Sequence, residues 1–349
     1  FKIVRSIFFR TLSHLQGIVD KKNSLPILSN ILIEAKDNAL TLSSTDMDLS
    51  IIEKIDCNVF EDGATTINSQ ILYDIVRKID DNSEIEIISN DGKLLTLRSN
   101  VSRFSLACLP KEDFPIIDQN NSGVNIKINS QIIFKLIDKT KFAISNEETR
   151  YFLNGLYFNI NKEENKSIVT LVGTDGHRLA KFSHYIEDNI DEVSGVIIPK
   201  KTIYELSKLL SERDQSVLIS ISSNKIIFTI GNIIFISKLI DGSFPDYKRV
   251  IPKDNLNILK VNREILLSAV DRVSTIANEK SPVIKFKLLQ TIYNSLYDEY
   301  GLFEISLILL LVLLEIPQTL SFCQIYYRIF LMGYLLAIQE LHLCNQIIY

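Results

Sequence analysis

The stretch GTDGHRLAKF (173–182) sets a hydroxyl, a carboxylate, an imidazole and a guanidinium within five consecutive positions, Thr174 to Arg178. Those groups could run proton transfer: a histidine to move the proton, an aspartate to orient it, an arginine to meet negative charge. A catalytic histidine, however, needs a nucleophile beside it or further ligands for a metal. The chain has four histidines, at 14, 177, 184 and 342, in neither H-x-x-x-H nor H-E-x-x-H spacing. It has no phosphate loop and no G-x-S-x-G. The sister stretch STDMD (44–48) keeps the aspartate, Asp46, without a histidine. The cluster therefore reads as a turn that packs or binds a partner; no catalytic residue, metal or cofactor is implied. The four cysteines, at 57, 108, 323 and 344, form no Cys-x-x-Cys and read as thiols of a reducing cytoplasm. The opening FKIVRSIFFR has too short an apolar run for a signal peptide.

The elements that must position this turn repeat along the chain. RFSLACLPKEDFP (103–115) returns as FISKLIDGSFPDY (235–247), with Leu109, Phe114 and Pro115 falling on Leu239, Phe244 and Pro245. ILYDIVRKI (71–79) falls on TIYELSKLL (202–210), and STDMD on GTDGH. KINSQIIFKLIDKTKFAISNEE (127–148) returns as KVNREILLSAVDRVSTIANEK (260–280). Matches in one order at a spacing near 130 residues argue for a duplicated domain, since solenoid repeats are far shorter. Three units start near residues 1, 125 and 257. Each reads as strand, helix, strands, helix, strands: an α+β fold with mostly antiparallel sheet and two helices per unit. Apolar residues at 71, 72, 75, 76 and 79 have helical spacing, and Asn68 or Ser69 supplies the N-cap.

The polar faces of these helices share a sign. Arg77 and Lys78 sit on one, Lys135 and Lys139 on another, Lys200, Lys201 and Lys208 on a third, and Arg263 and Arg272 on a fourth; Lys21 and Lys22 follow the first. The net charge is −4, yet a basic surface on an acidic body is invisible to that sum. Lysines and arginines meet phosphates without reading bases, and no base-reading module is present.

LPILSN (25–30), GATTI (63–67), SRFSLACLP with DFP (102–115), RYFLNGLYF (150–158), TDGHRLA (174–180), SKLIDGSFPDYKRVIP (237–252) and ANEK (277–280) together resemble the bacterial replicative sliding clamp, the β subunit of DNA polymerase III. The resemblance runs over about residues 1–288. It implies three clamp domains, here 1–120, 124–252 and 256–349, and a two-chain ring with helices inside and sheets outside. It implies a processivity factor, an accessory subunit rather than an enzyme, that encircles double-stranded DNA. The implied partners are the polymerase III catalytic subunit, the clamp loader, repair polymerases and other proteins bearing a clamp-binding motif. The implied DNA contacts are Lys22, Gln70 (a basic position in the family), Arg150, Tyr151, Phe152, Lys200 and Lys201, joined by Arg77, Lys135 and Lys139 from the helix faces. The implied peptide pocket is Leu153, Thr174, Gly176, His177, Arg178, Leu179, Pro245, Arg249 and Val250. The implied dimer seam is Phe104 against Thr275 and Ile276. A DNA-processing enzyme on a related scaffold is the alternative, and would need an acidic metal cluster that the sequence does not display.

Past SPVIKFKL the resemblance ends. Residues 289–349 hold Arg328, five acids and seven of the thirteen tyrosines. FEISLILLLVLLEIP is apolar but shorter than the roughly 20 residues a membrane span needs. Three readings stay open: a shifted reading frame giving an aberrant tail and a non-functional fragment, a membrane-associating tail, and a diverged third domain. The third domain keeps its first helix and PVIKFKL, and a sheet without its remaining strands cannot bury its apolar face. We predict that the 349-residue chain elutes as a 39.8 kDa monomer or aggregates, by light scattering after gel filtration. A monodisperse dimer that retains circular DNA would overturn this.

Overall fold

The computed structural model describes residues 1–19, 25–90, 93–120, 123–163, 166–186, 192–211, 213–252, 261–275, 285–289, 309–313 and 347–348. Two compact units emerge, residues 1–251 with 343–349, and residues 252–342.

The first unit contains the same layout twice. The first copy runs β1 (Lys2–Val4), α1 (Arg5–Gln16), β2 (Asn30–Lys36), β3 (Ala39–Thr45), β4 (Leu49–Asp56), β5 (Gly63–Asn68), α2 (Ser69–Lys78), β6 (Glu84–Asn90), β7 (Leu94–Ser99) and β8 (Ser102–Leu109). The second runs β9 (Val124–Asn129), α3 (Ser130–Asp138), β10 (Gly155–Glu163), β11 (Lys166–Thr174), β12 (Leu179–Ile186), β13 (Val193–Pro199), α4 (Lys200–Ser211), β14 (Ser216–Ile221), β15 (Lys225–Ile230) and β16 (Ile233–Lys238). Each copy builds two antiparallel four-stranded ladders, β5-β2-β3-β4 with β1-β6-β7-β8, and β13-β10-β11-β12 with β16-β15-β14-β9. Ile233–Ser237 of β16 then pairs antiparallel with Leu49–Glu53 of β4, which joins both ladders of the first copy and the β16-β15-β14-β9 ladder of the second into one continuous sheet, while β13-β10-β11-β12 stay a separate one. A two-residue strand, β19 (Ile347–Ile348), lies beside Leu179 and Ala180 at the opposite edge of the second copy.

Local chemistry accounts for these elements. Asp37 and Asn38 both take positive φ, 51° and 57°, the geometry of the tight hairpin between β2 and β3. Gly231, at φ 58°, turns β15 into β16. Asn68 caps α2 by accepting from the Ile71 amide at 3.0 Å, and Asn129 caps α3 by accepting from Gln131 at 2.7 Å. The sequence offers Asn68 or Ser69 for the first cap, and Asn68 fills it. Phe8, Leu12 and Leu15 of α1 and Leu72 and Val76 of α2 point inward onto Ile31, Leu40, Ile51 and Ile67 of the sheet, all buried. Phe9 of α1 stacks on Tyr73 of α2, ring centres 5.2 Å apart. Burial on one side leaves the opposite side of each helix wet, and there the cations sit.

The second unit contains α5 (Arg263–Ser274), capped by Asn262 through the Glu264 and Ile265 amides, and the hairpin of β17 (Lys285–Leu289) with β18 (Leu309–Leu313). Among the described residues no helix is long and apolar enough to cross a membrane. Asn68→Ala should cost about 1 kcal/mol in urea unfolding, and Asn68→Asp far less, because a side-chain oxygen at the cap is what the Ile71 amide needs.

Candidate interaction sites

The turn that opens as a catalytic candidate is a self-contained hydrogen-bonded loop. Asp175 Oδ1 accepts from the amides of His177 and Arg178, both at 3.0 Å, and Asp175 Oδ2 accepts from Arg178 Nε at 3.0 Å. Thr174 Oγ1 donates to the Arg178 carbonyl at 2.7 Å and accepts from the Gly176 amide at 3.1 Å. Gly176 takes φ 89°, and a Cβ there would stand 2.6 Å from Arg150 Nη1. The carboxylate is thus spent on holding the loop, and the imidazole of His177 is exposed to solvent. STDMD folds identically: Asp46 Oδ1 accepts from Asp48 and Leu49, and Thr45 Oγ1 serves Met47 and the Leu49 carbonyl. Met47 there takes φ 80°, where the second copy has its glycine.

The turn borders an apolar surface. Val172, Leu179 and Tyr247 form a small buried cluster, with Tyr157, Phe244 and Ile251 packed against it. Tyr157 stacks on Phe244 at 4.9 Å and lies 6.1 Å from Tyr247. Burial pushes the Tyr247 phenol up, helped by its neighbour Tyr157. Leu153 is buried, Thr174 half-buried, and Gly176, His177, Arg178, Pro245, Arg249 and Val250 exposed. Arg249 pairs with Asp246 at 2.9 Å, and Arg178 lies over the exposed ring of Phe142 at 5.8 Å. Tyr157, Val172, Phe244, Tyr247 and Phe142 are additions that the sequence reading does not place at this surface. The FP repeat singles out Phe244 without its setting, and the others carry no motif.

The basic residues lie on the wet helix faces and the adjoining loops. Lys135 and Lys139 are exposed at the end of α3, Lys135 over the Phe182 ring at 5.7 Å. Arg77 pairs with Asp74 at 2.9 Å. Gln70 bridges Gln16 and Asp74, 2.8 Å from each. Arg150 pairs with Glu147 at 2.9 Å beside the edge-to-face pair Tyr151 and Phe152, of which Tyr151 is exposed. Lys200 reaches the side chain of Asn146. Lys201 is engaged between the copies, 2.5 Å from Asp46 and 2.7 Å from the Ile18 carbonyl. Lys22 lies outside the described residues.

A groove of about 550 Å³ runs between α2 and the β7–β8 hairpin, lined by Ile71, Asp74, Lys78, Val101 and Phe104. Ile71 and Val101 are exposed apolar residues on it. In the other unit, Thr275 follows α5 and is exposed, and Ile276 lies outside the described residues.

Partial burial pushes the Asp175 carboxyl up, but the Arg178 and His177 amides and the Arg178 guanidinium outweigh it and hold the group below the usual carboxylate range. A depressed carboxyl contributes stability that is present above its unfolded value near 3.8 and lost as pH falls through the folded value. The His177 and Arg178 amide resonances should therefore titrate with a midpoint below 3.8. Asp175→Ala should loosen the turn by about 1 kcal/mol and speed exchange of both amides. A midpoint at or above 3.8 would refute this.

Residues 1–118 match the N-terminal domain model of the DNA polymerase III beta subunit, and residues 127–246 match the central domain model. The beta sliding clamp of Caulobacter vibrioides is 40% identical over 284 residues, 81% of this chain and 76% of that one. The beta sliding clamp of Escherichia coli K12 is 35% identical over 281 residues, 80% and 75% of the two chains. Among solved structures, the DnaN sliding clamp of Bartonella birtlesii, bound to griselimycin, superposes with a TM-score of 0.77 at 43% identity, covering 82% of this chain and 77% of that one. With the doubled α+β layout and the loop geometry, these likenesses place the chain in the bacterial beta sliding clamp family, the non-catalytic processivity subunit of DNA polymerase III.

Proposed function

We propose that the exposed faces of the helix pairs α1–α2 and α3–α4 form the wall along which duplex DNA passes, in a chain of three clamp domains, 1–120, 124–252 and 256–349. The observation that carries this is the same sign of charge on equivalent helices: Arg77 on α2, Lys135 and Lys139 at α3, Lys200 at α4. Cations on long stems, exposed at Arg77, Lys135 and Lys139 and half-buried at Lys200, meet phosphates without sequence preference, which suits a ring that slides. Tyr151, Phe152 and Arg150 extend the wall at its rim.

The surface bounded by Leu153, Thr174–Leu179, Pro245, Arg249 and Val250 takes a short peptide of a partner: the polymerase III catalytic subunit, the clamp loader or a repair polymerase. An apolar floor with exposed basic neighbours offers an anchor side chain a dry seat and orients the peptide by its charge. The groove at Phe104 is the first-domain half of the family's seam, because the β8 edge beside it has no ladder partner from Ser102 to Ala107 among the described residues; the incomplete third domain is what keeps this chain from closing on a second copy. The protein works in the cytoplasm, where the DNA is.

Duplex binding by the full chain should test the wall. Lys135→Glu with Lys139→Glu and Lys200→Glu should weaken affinity, and the slope of log K against log salt should fall by about one for each phosphate no longer neutralised. Equal slopes before and after would remove the helix faces from the DNA path. His177→Ala with Arg249→Ala should weaken a clamp-binding peptide by about 1–3 kcal/mol while leaving that slope alone.

A further inference from the structure

We propose that the turn Thr45–Leu49 is a latch between the two copies, and that Lys201 is a positioning residue of their junction, held there by Asp46. The turn presents two carboxylates to the second copy. Asp46 Oδ1 is fixed by the Asp48 amide at 3.0 Å and the Leu49 amide at 2.7 Å, which aims Oδ2 outward at Lys201 Nζ, 2.5 Å away. The same ammonium donates to the carbonyl of Ile18 at 2.7 Å, beyond the end of α1. Asp48 takes Lys238 twice: Nζ to Oδ1 at 2.9 Å, and the Lys238 amide to the Asp48 carbonyl at 2.8 Å.

The comparison within the chain shows why this turn latches and its twin does not. Arg178 of the second copy stands where the first has Leu49: both amides bond the turn aspartate, and both carbonyls accept from the turn threonine. Arg178 closes on the outer oxygen of its own Asp175. Leu49 cannot, and is instead buried in the core, so the outer oxygen of Asp46 is left for a cation from the neighbouring copy. One backbone design thus serves as a self-closed loop in one copy and as a socket in the other.

A lone exposed ion pair contributes little, and Lys201 is 43% exposed in its side chain. This one sits at the end of a seam already made by β4 and β16. At the seam's far end the Lys54 amide donates to the Asn232 carbonyl at 3.1 Å and Asn232 Nδ2 returns to the Lys54 carbonyl at 2.9 Å, and midway Ile51 faces Phe235, both fully buried. The latch therefore acts where the seam would fray, and added salt weakens it.

Amide exchange on the full chain tests it. The Lys54 and Lys238 amides bond across the junction; the Cys108 and Ser222 amides bond within one copy each. Asp46→Asn and Lys201→Met should each speed exchange of Lys238, at the latch end of the seam, by about three- to tenfold, and leave Lys54 at the far end, Cys108 and Ser222 unchanged. The double variant should be no faster than Lys201→Met alone, which already removes both the Asp46 pair and the bond to the Ile18 carbonyl. Asp46→Asn is the decisive arm because it keeps the lysine and removes a negative charge, so a lysine serving DNA alone predicts no change in exchange. Unchanged exchange at Lys238 in that variant overturns the latch. So does an equal rise at all four amides, which would mean general destabilisation.

Discussion

The pairing of β4 with β16 is the constraint on which the first unit depends. Each copy ends one of its ladders in β4 or β12 and the other in β8 or β16. An exposed strand edge is a liability, and joining an edge of the β4 type to one of the β8 type disposes of two at once. Because the copies share one layout, that rule repeats. Most of β12 and of β8 is left as an edge among the described residues, in the same chemical state as β4 and β16 before they met.

Duplication also explains how one short motif acquires two uses. The threonine and aspartate of TDGH and TDMD make the same inner hydrogen bonds, so the backbone of the turn is indifferent to the next residue along the chain. That next residue decides the role. Arginine at position 178 closes the loop on itself and leaves His177 exposed to solvent. Leucine at position 49 turns into the core and leaves a carboxylate for the next copy. The cost of the reuse is visible at Met47, which adopts a backbone angle that glycine fills in the twin.

Much of this architecture is legible in the sequence, because repetition is a signal that needs no partner. The offset near 130 residues, the cap at Asn68 or Ser69, the apolar spacing of α2 and the basic helix faces all derive from residues close in the chain. What escapes is what depends on residues far apart. Lys201 reads as one of a basic pair, and only the fold brings Asp46, 155 positions away, to its ammonium. Tyr157, Phe244 and Tyr247 come from a strand and a distant loop, and no local pattern announces their stack. Glu53 reads as a charged residue in a strand, yet it is fully buried.

That buried carboxylate shows how the edge pairing is made specific. Glu53 lies on the inner face of β4 with Ile51 and Ile55, and receives His14 Nδ1 of α1 at 2.8 Å. From the second copy it receives Asn232 Nδ2 at 3.4 Å, and Arg213 Nη2 stands 4.0 Å away. Apolar residues alone would tolerate several registers, since Ile233, Phe235, Ile51 and Ile55 are interchangeable as greasy surface. A one-residue slip between β4 and β16 would turn every side chain of the slipped strand to the other face. A two-residue slip would keep the faces but carry Asn232 and Arg213 away from Glu53. His14, in the first copy, would stay, but the buried carboxylate would lose both of its partners in the second. Desolvating Glu53 is therefore of little benefit to stability as such. Its effect is to make the correct register the one in which both copies contribute a partner to Glu53.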